Sequence, residues 1–212
     1  MESLTMSDRA AEKIRTMILN GEIRPGGKIN IDKLSRESEF SKTPIREALN
    51  KLISEGLVLY TPRIGYTVYQ LTLQEYFQLY ELQEMLEVHL SLKMLQFVDS
   101  IDFDKLAEAN KGIQEWMAKG NVALVQEYND RFHMEIYGHY PNPKLIEELQ
   151  QVWAKVKIQR HLMYRSTLFL STVLQEHQDI ADGLKNGDPV KLERAVRNHF
   201  RSGEQALLKN MG

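Results

Sequence analysis

Four polar side chains on otherwise apolar helical faces are the residues of this sequence best placed to do chemistry. His133, His177 and His199 lie in three different stretches whose apolar residues recur at helical spacing, and Asn129 lies one turn before His133. Neutral imidazoles that converge from several helices suit Zn²⁺, Ni²⁺ or another first-row divalent ion. A core histidine that only hydrogen-bonds a neighbour has the same pattern in sequence. The spacing therefore leaves a metal site and a purely structural role open.

A second group of polar residues recurs at helical spacing between residues 41 and 50. Their helix would bury the opposite side, where Ile45, Leu49 and Leu52 repeat, and a shorter helix near residues 30–39 precedes it. Two helices separated by a few residues predict a helix-turn-helix, whose second helix enters the major groove of DNA. The helix residues that we assign to DNA contact are Ser41, Lys42, Thr43, Arg46 and Asn50.

Two short β-prone runs follow, at residues 57–60 and 66–69. A hairpin directly after a recognition helix predicts a winged helix. Arg63 and Gly65 would lie at the tip of this wing, which would contact the DNA backbone or the minor groove.

The elements that must position these groups are mainly α-helical. A first helix is predicted near residues 7–20, and everything after Thr72 has helical period. We expect an N-terminal winged helix-turn-helix domain at residues 1–70 and an all-α antiparallel bundle of six or seven helices at residues 71–212. The predicted helices of the bundle run near residues 72–97, 102–118, 121–139, 143–164, 168–186 and 188–210.

Composition excludes several classes of protein. The 212 residues are 42% hydrophobic and 26% charged, with no cysteine, so disulfides and thiolate chemistry are absent. No apolar run is long enough to span a membrane and no signal peptide is recognisable, which predicts a cytoplasmic protein with no membrane partner. The net charge is −2, but residues 1–70 hold 11 Lys/Arg against 9 Asp/Glu. That weak asymmetry favours DNA at the N-terminal end without identifying it.

The N-terminal third resembles a known family. The run S-K-T-P-I-R-E-A-L-x-x-L-x-x-E-G-L-V at residues 41–58, followed by P-R-x-G-Y-x-V, resembles the DNA-binding domain of GntR-type bacterial transcription regulators. Glu39-Phe40 stands where that family usually has Gly-Val, and Lys42 stands where Arg is frequent. Lysine keeps the charge but loses the bidentate fork that reads guanine.

The remainder resembles the FCD class of effector domain. The resemblance rests on Asn129-x-x-x-His133, Asn142-Pro143-x-Leu145, Glu176-His177 and His199-Phe200. It implies a divalent metal ion on Asn129, His133, His177 and His199, and a small carboxylate effector bound beside it. Asn129 occupies a position where the class has Asp, so its amide oxygen would bring no negative charge.

The effector pocket departs from the resemblance at Gln83, where arginine is frequent three residues before a Leu-Glu pair. Arg160 and Arg165 are then the remaining inward candidates for a carboxylate, although either would also suit an interhelical ion pair. Tyr137 would line the pocket or belong to the core. The effector-binding residues that we assign are therefore Gln83, Tyr137, Arg160 and Arg165.

These features predict a homodimeric, ligand-responsive repressor that binds a double-stranded, near-palindromic DNA operator. One alternative is a constitutive DNA-binding protein with a purely structural bundle. Another is a metal-dependent hydrolase, against which no His-Glu-x-x-His arrangement or other acid–base pair is found. We therefore expect no enzymatic activity.

Overall fold

The computed structural model describes residues 5–19, 21–163 and 167–211, so Arg165 lies outside the described residues. The chain divides into two compact units, Met1–Thr72 and Leu73–Gly212. Within the described residues, no helix has the length and apolar character that crossing a membrane requires. The elements are α1 Met6–Leu19, α2 Ile31–Glu37, α3 Lys42–Ser54, β1 Val58–Thr61, β2 Gly65–Val68, α4 Leu73–Met94, a 3₁₀-helix Leu95–Ser100, α5 Phe103–Ala118, α6 Val122–Tyr137, α7 Pro143–Met163, α8 Thr167–Lys185 and α9 Pro189–Met211.

The smaller unit packs α1 and α2 against the apolar side of α3. Ile14 and Ile18 of α1 are buried, as are Ile45 and Leu49 of α3. Asn30 caps α2, because its side chain accepts a hydrogen bond from the backbone N–H of Lys33 at 2.9 Å. β1 and β2 form an antiparallel hairpin. The predicted winged helix-turn-helix fold is confirmed.

Gly56 ends α3 and directs the chain into the wing. Its φ of +72° lies in the left-handed region, its N–H donates to the Ile53 carbonyl, and the Leu57 N–H donates to the Leu52 carbonyl. This pair of bonds is the Schellman motif, which satisfies the last carbonyls of a helix and favours glycine. The motif fixes where the recognition helix stops and where the hairpin starts.

The larger unit contains six α-helices and the 3₁₀-helix in the part of the chain that the structure describes. Consecutive helices joined by short turns pack on each other, α5 on α6 and α8 on α9, as an antiparallel bundle requires. The predicted helix over residues 72–97 is shorter than expected, since α4 ends at Met94. Phe97 has a non-helical φ of −126°. Its carbonyl accepts a hydrogen bond from the side-chain hydroxyl of Ser100.

Two glycines shape the α8–α9 pair, which carries His177 and His199. Gly187, with a φ of +64°, allows the turn between the two helices. At Gly183 the helices approach so closely that a Cβ would lie 2.9 Å from Leu192 Cα. A residue without a side chain is therefore what permits the observed spacing of α8 and α9.

Candidate metal centre and nucleic-acid interface

Three histidines from three helices meet inside the larger unit. His133 of α6, His177 of α8 and His199 of α9 each offer a nitrogen, and these nitrogens all lie within 4.8 Å of one another. The ring centroids form a nearly regular triangle, with separations of 5.0, 5.1 and 5.2 Å. Nitrogens this close can share one divalent ion, and three imidazoles are an established ligand set for zinc.

Each histidine also faces a polar partner through its Nδ1 atom. His177 Nδ1 lies 2.8 Å from Asn110 Oδ1, and His199 Nδ1 lies 3.0 Å from Glu176 Oε2. His133 Nδ1 lies 3.4 Å from Glu87 Oε2. For His177 and His199, an acceptor at one ring nitrogen fixes the tautomer and orients the other nitrogen, as is usual for metal-binding histidines. His133 Nδ1 makes no hydrogen bond to Glu87 at its 3.4 Å separation.

Asn129 lies one helical turn before His133, on the same face of α6. Its side chain is buried, and Asn129 Oδ1 has no hydrogen-bond partner among the described residues. The same holds for His177 Nε2, the nitrogen that does not face Asn110. Buried polar atoms without partners are costly, and an ion bound by both would satisfy them. The residues present therefore fit a divalent metal.

Burial keeps the central histidines in the form that binds metal. It lowers the pKa of both His133 and His177 well below 6.5, and neighbouring histidines lower each pKa further. Ligating imidazoles must be neutral, so His133 and His177 are prepared for an ion at neutral pH. His177 is additionally held by Phe132, whose ring stacks on it at 3.9 Å between centroids.

A buried carboxylate, Glu87 of α4, lies beside the histidines. Gln83 Nε2 and Trp153 Nε1 each donate to Glu87 Oε1 at 2.7 Å, and the Tyr137 hydroxyl donates to Oε2 at 3.1 Å. The Ser91 hydroxyl in turn donates to Tyr137 Oη at 3.3 Å. Burial raises the pKa of the Glu87 carboxyl. The pKa of the Tyr137 phenol is also raised, mainly by burial and to a smaller extent by the charge of Glu87. The structure thus places Gln83 and Tyr137 together, but on a carboxylate of the protein itself.

Arg160 of α7 is a buried cation near this network. Its Nη2 donates to Asp130 Oδ1 at 2.7 Å, and its guanidinium lies 5.8 Å from the Trp153 ring. Its charge lowers the pKa of His133 further and offsets part of the rise that burial causes in the pKa of Glu87. Arg160 is therefore electrostatically connected to the site while forming an interhelical ion pair.

In the smaller unit, the polar side of α3 is exposed along its length. Lys42, Thr43, Arg46 and Asn50 are all exposed, whereas Ile45 and the apolar residues on its side are buried. Ser41 occupies the N-cap position, but its hydroxyl makes no capping hydrogen bond. This arrangement brings the predicted contact residues onto one accessible surface.

The hairpin tip has an unusual backbone. Thr61 and Gly65 face each other across it, and the Ile64 N–H donates to the Thr61 carbonyl at 3.1 Å. Pro62 and Arg63 are the central residues of this turn, and Arg63 has a φ of +70°. Proline followed by a positive φ is typical of a type II turn. Arg63 is exposed at its apex, as the sequence predicts.

Sequence reasoning missed the outer partners of the histidines. Asn110, Glu87 and Glu176 carry no sign of this role in the sequence, because a pairing across helices leaves no local signal. One signal existed on α4: its buried residues include Tyr76, Gln83, Glu87, Leu90 and Met94, at helical spacing. Two polar residues within that stripe mark an internal polar site.

Comparison with known proteins agrees with this architecture. Residues 6–68 match the gntR family of bacterial regulatory proteins and residues 78–202 match the FCD domain. The HTH-type transcriptional regulator YdhC of Bacillus subtilis is 27% identical over 192 residues, covering 89% of this chain and 84% of YdhC. The HTH-type transcriptional repressor GlaR of Escherichia coli is 22% identical over 195 residues, covering 88% and 89%. The structure of Escherichia coli McbR/YncC has the same fold, with a TM-score of 0.76, 19% identity, and coverage of 99% and 100%.

Proposed function

The chain belongs to the gntR family of bacterial regulatory proteins and carries an FCD domain, and we propose that it is a metal- and ligand-responsive repressor. The protein is a transcriptional regulator rather than an enzyme, as its family and relatives are. The proposed partners are a second copy of the chain and a double-stranded operator. Repression is proposed because GlaR, a relative along most of the chain, is named a repressor.

The exposed polar side of α3 supports the DNA-binding role. A recognition helix needs polar residues on one accessible side and an apolar side that holds it to its domain, and α3 has both. Arg46 lies in the middle of that surface. Lys42 forms an exposed ion pair with Asp32. A DNA phosphate would replace Asp32 as the partner of Lys42 at little cost in free energy, because exposed ion pairs are weak.

An operator selected from random duplexes allows the DNA contact to be tested. Arg46→Ala is expected to weaken operator binding by about 1–3 kcal/mol, because it removes a base-edge or phosphate contact. Arg194→Ala is the matched control, since it removes the same charge from an exposed residue of the larger unit. Equal affinity of the native and Arg46→Ala proteins would show that α3 does not read the operator.

The histidine cluster carries the effector part of the proposal. His133, His177 and His199 would hold a divalent metal with Asn129, and the ion would act as a Lewis acid that attracts a carboxylate. Three imidazoles and an amide are neutral, so the ion's charge favours an anionic ligand. Arg160 would add a second positive charge. Gln83 and Tyr137 donate hydrogen bonds to the carboxylate of Glu87 beside this site, rather than to an open space.

Elemental analysis of the purified protein tests the metal directly. The native chain is expected to contain about one zinc, nickel or other first-row ion, and a chelator should lower its melting temperature. His177→Ala/His199→Ala should lose the ion, whereas the exposed pair His89→Ala/His139→Ala should keep it. A panel of mono-, di- and tricarboxylates should then raise the melting temperature only when metal is present.

A bundle with a purely structural role is the second candidate. Asn129 and Gln83 are both uncharged, at positions where the FCD class has an aspartate and frequently an arginine. This candidate predicts that the native protein contains no metal and that carboxylates do not change its affinity for the operator.

The homodimer is tested by sedimentation of the native chain at micromolar concentration, where a monomer would contradict a two-fold operator.

A further inference from the structure

Glu87 is a buried carboxylate in an environment of neutral donors. It is 1% exposed, in the middle of α4. Its three hydrogen bonds come from an amide, an indole and a phenol, none of which carries charge. Among the described side chains, His133 is the basic group in direct reach of Glu87, and its imidazole carries charge only if protonated. Arg160 also acts on Glu87 electrostatically, but Arg160 is ion-paired with Asp130, so the carboxylate has no direct cationic partner among the described residues.

The opposite imbalance exists a few ångströms away. His133, His177, His199 and Asn129 would bring a divalent ion no negative charge at all, since every one of these groups is neutral. Burying either charge alone is expensive, whereas burying both within reach of each other is much less so. Glu87 Oε2 lies 3.4 Å from His133 Nδ1, so the two imbalances meet at one histidine.

We propose that Glu87 is the charge partner of the metal centre, a positioning residue on α4 that supplies through His133 the negative charge that Asn129 does not. The proposal rests on the metal site proposed above and concerns which side chain offsets the ion's charge. The other carboxylate at the cluster, Glu176, faces His199 and also bonds the Ser202 hydroxyl. Glu87 differs because it is fully buried and its remaining bonds hold it in place without neutralising it.

A purely structural role for Glu87 makes different demands. If Glu87 served only to hydrogen-bond Gln83, Trp153 and Tyr137, glutamine would be a good replacement, because its shape is the same. Its amide oxygen would accept the two bonds from Gln83 and Trp153, and its amide NH2 group would donate to the Tyr137 oxygen. Aspartate would be a poor replacement, because it is one methylene too short to reach them. If charge is what matters, aspartate is the better replacement and glutamine the worse.

Zinc titration of the full chain, against a chelator of known affinity, separates these roles. Glu87→Gln is expected to weaken zinc binding by about 10–100-fold, the usual effect of removing an outer partner of a ligating histidine. Glu87→Asp should lose less than Glu87→Gln. Glu84→Gln, one turn away on α4 and bonded to Arg197 rather than to the cluster, should bind zinc as the native chain does.

The decisive measurement is rescue by a charge at position 129. Asn129→Asp in the Glu87→Gln background should restore most of the lost zinc affinity, and by a larger factor than Asn129→Asp gains in the native chain. Rescue of this kind requires that the two carboxylates serve one ion, since a hydrogen-bonding role of Glu87 would be unaffected by residue 129.

The outcomes distinguish this inference from the metal site itself. Native protein that binds no zinc overturns both. Native protein that binds zinc, together with Glu87→Gln that binds it equally well, overturns the role of Glu87 and leaves the metal site standing. Should Glu87→Gln not fold, the same test is made on Glu87→Asp. If Asn129→Asp does not restore the zinc affinity that Glu87→Asp loses, the role of Glu87 is overturned as well.

Discussion

Arg63 holds the hairpin tip in a backbone conformation that few residues other than glycine adopt. With a φ of +70°, it sits in the left-handed region, which costs an L-residue about 1 kcal/mol. Its side chain is exposed. The type II turn requires this conformation at Arg63, and the proposed role of the exposed side chain is a contact with DNA.

Arg63→Gly should therefore separate stability from DNA binding. Glycine relieves the strain, so the free energy of unfolding is expected to equal that of Arg63→Ala or exceed it by up to about 1 kcal/mol. Both variants should lose the same operator affinity, because both lack the guanidinium. Calorimetry and operator titration of the two variants provide the measurement. Retention of native operator affinity by Arg63→Gly would remove Arg63 from the interface.

The central histidines predict how the metal-free protein responds to acid. His133 and His177 have a folded pKa below 6.5 because of burial, so the unfolded chain takes up protons below pH 6.5 that the folded chain does not. Stability should fall as the pH is lowered from 6.5 toward 5, by at most about 1.4 kcal/mol per pH unit for each histidine. Glu87 acts oppositely: its pKa is raised above 4.5, so its contribution is present at low pH and is lost as the pH rises.

Two variants test this assignment of protons. His177→Gln should flatten the dependence of unfolding free energy on pH, whereas Glu87→Gln should steepen it. Urea titrations in chelator, followed by tryptophan fluorescence, give the measurement. Both tryptophans, Trp116 and Trp153, lie in the larger unit, so the signal reports on that unit. A native slope that neither variant alters would mean that other groups govern the acid response.

At the scale of elements, the spacing of α8 and α9 sets the spacing of His177 and His199. Gly183→Ala would put a Cβ 2.9 Å from Leu192 Cα, a backbone atom that cannot rotate away. Overpacking of this kind costs about 1–3 kcal/mol, more than the roughly 1 kcal/mol that alanine gains over glycine inside a helix. We expect a lower melting temperature together with weaker zinc binding.

Gly187→Ala is the control for that change. Its Cβ would meet nothing within 4 Å, but its φ of +64° is strained for alanine. It should lower the melting temperature through the turn alone and leave zinc affinity near the native value. Equal zinc affinity in both variants would show that helix spacing at Gly183 does not control the site.

The sequence predicted elements with strong local signals and missed contacts between distant elements. Helical period and the glycine stop placed α3 and the hairpin close to their observed ends. The predicted helix over residues 72–97 ran past Met94, because Phe97 leaves helical geometry with no proline or glycine to announce it. His133, His177 and His199 stood out as polar residues on apolar faces. Asn110 and Trp153 look like ordinary helical residues, and only packing brings them to the cluster.

Across the two units, the proposed response to metal and ligand requires that binding in one unit be linked energetically to binding in the other. β2 ends at Val68 and α4 begins at Leu73, so residues 69–72 alone separate the regular elements of the two units. A short joint limits how independently the units move. Linkage also requires reciprocity: if zinc changes operator affinity by some factor, the operator changes zinc affinity by the same factor.

Lengthening the joint should abolish that linkage while preserving both binding events. We expect Gly-Ser-Gly-Ser inserted between Thr72 and Leu73 to remove the effect of zinc on operator affinity and the effect of the operator on zinc affinity, so that both factors approach one. The reason is that a flexible joint no longer transmits a change in one unit to the other. The same insertion between Gly120 and Asn121, in an exposed turn of the larger unit, should leave both factors at their native values. Operator affinity would be measured with zinc and with chelator, and zinc affinity with and without operator. Linkage that survives the insertion after Thr72 would show that coupling does not depend on the length of this joint.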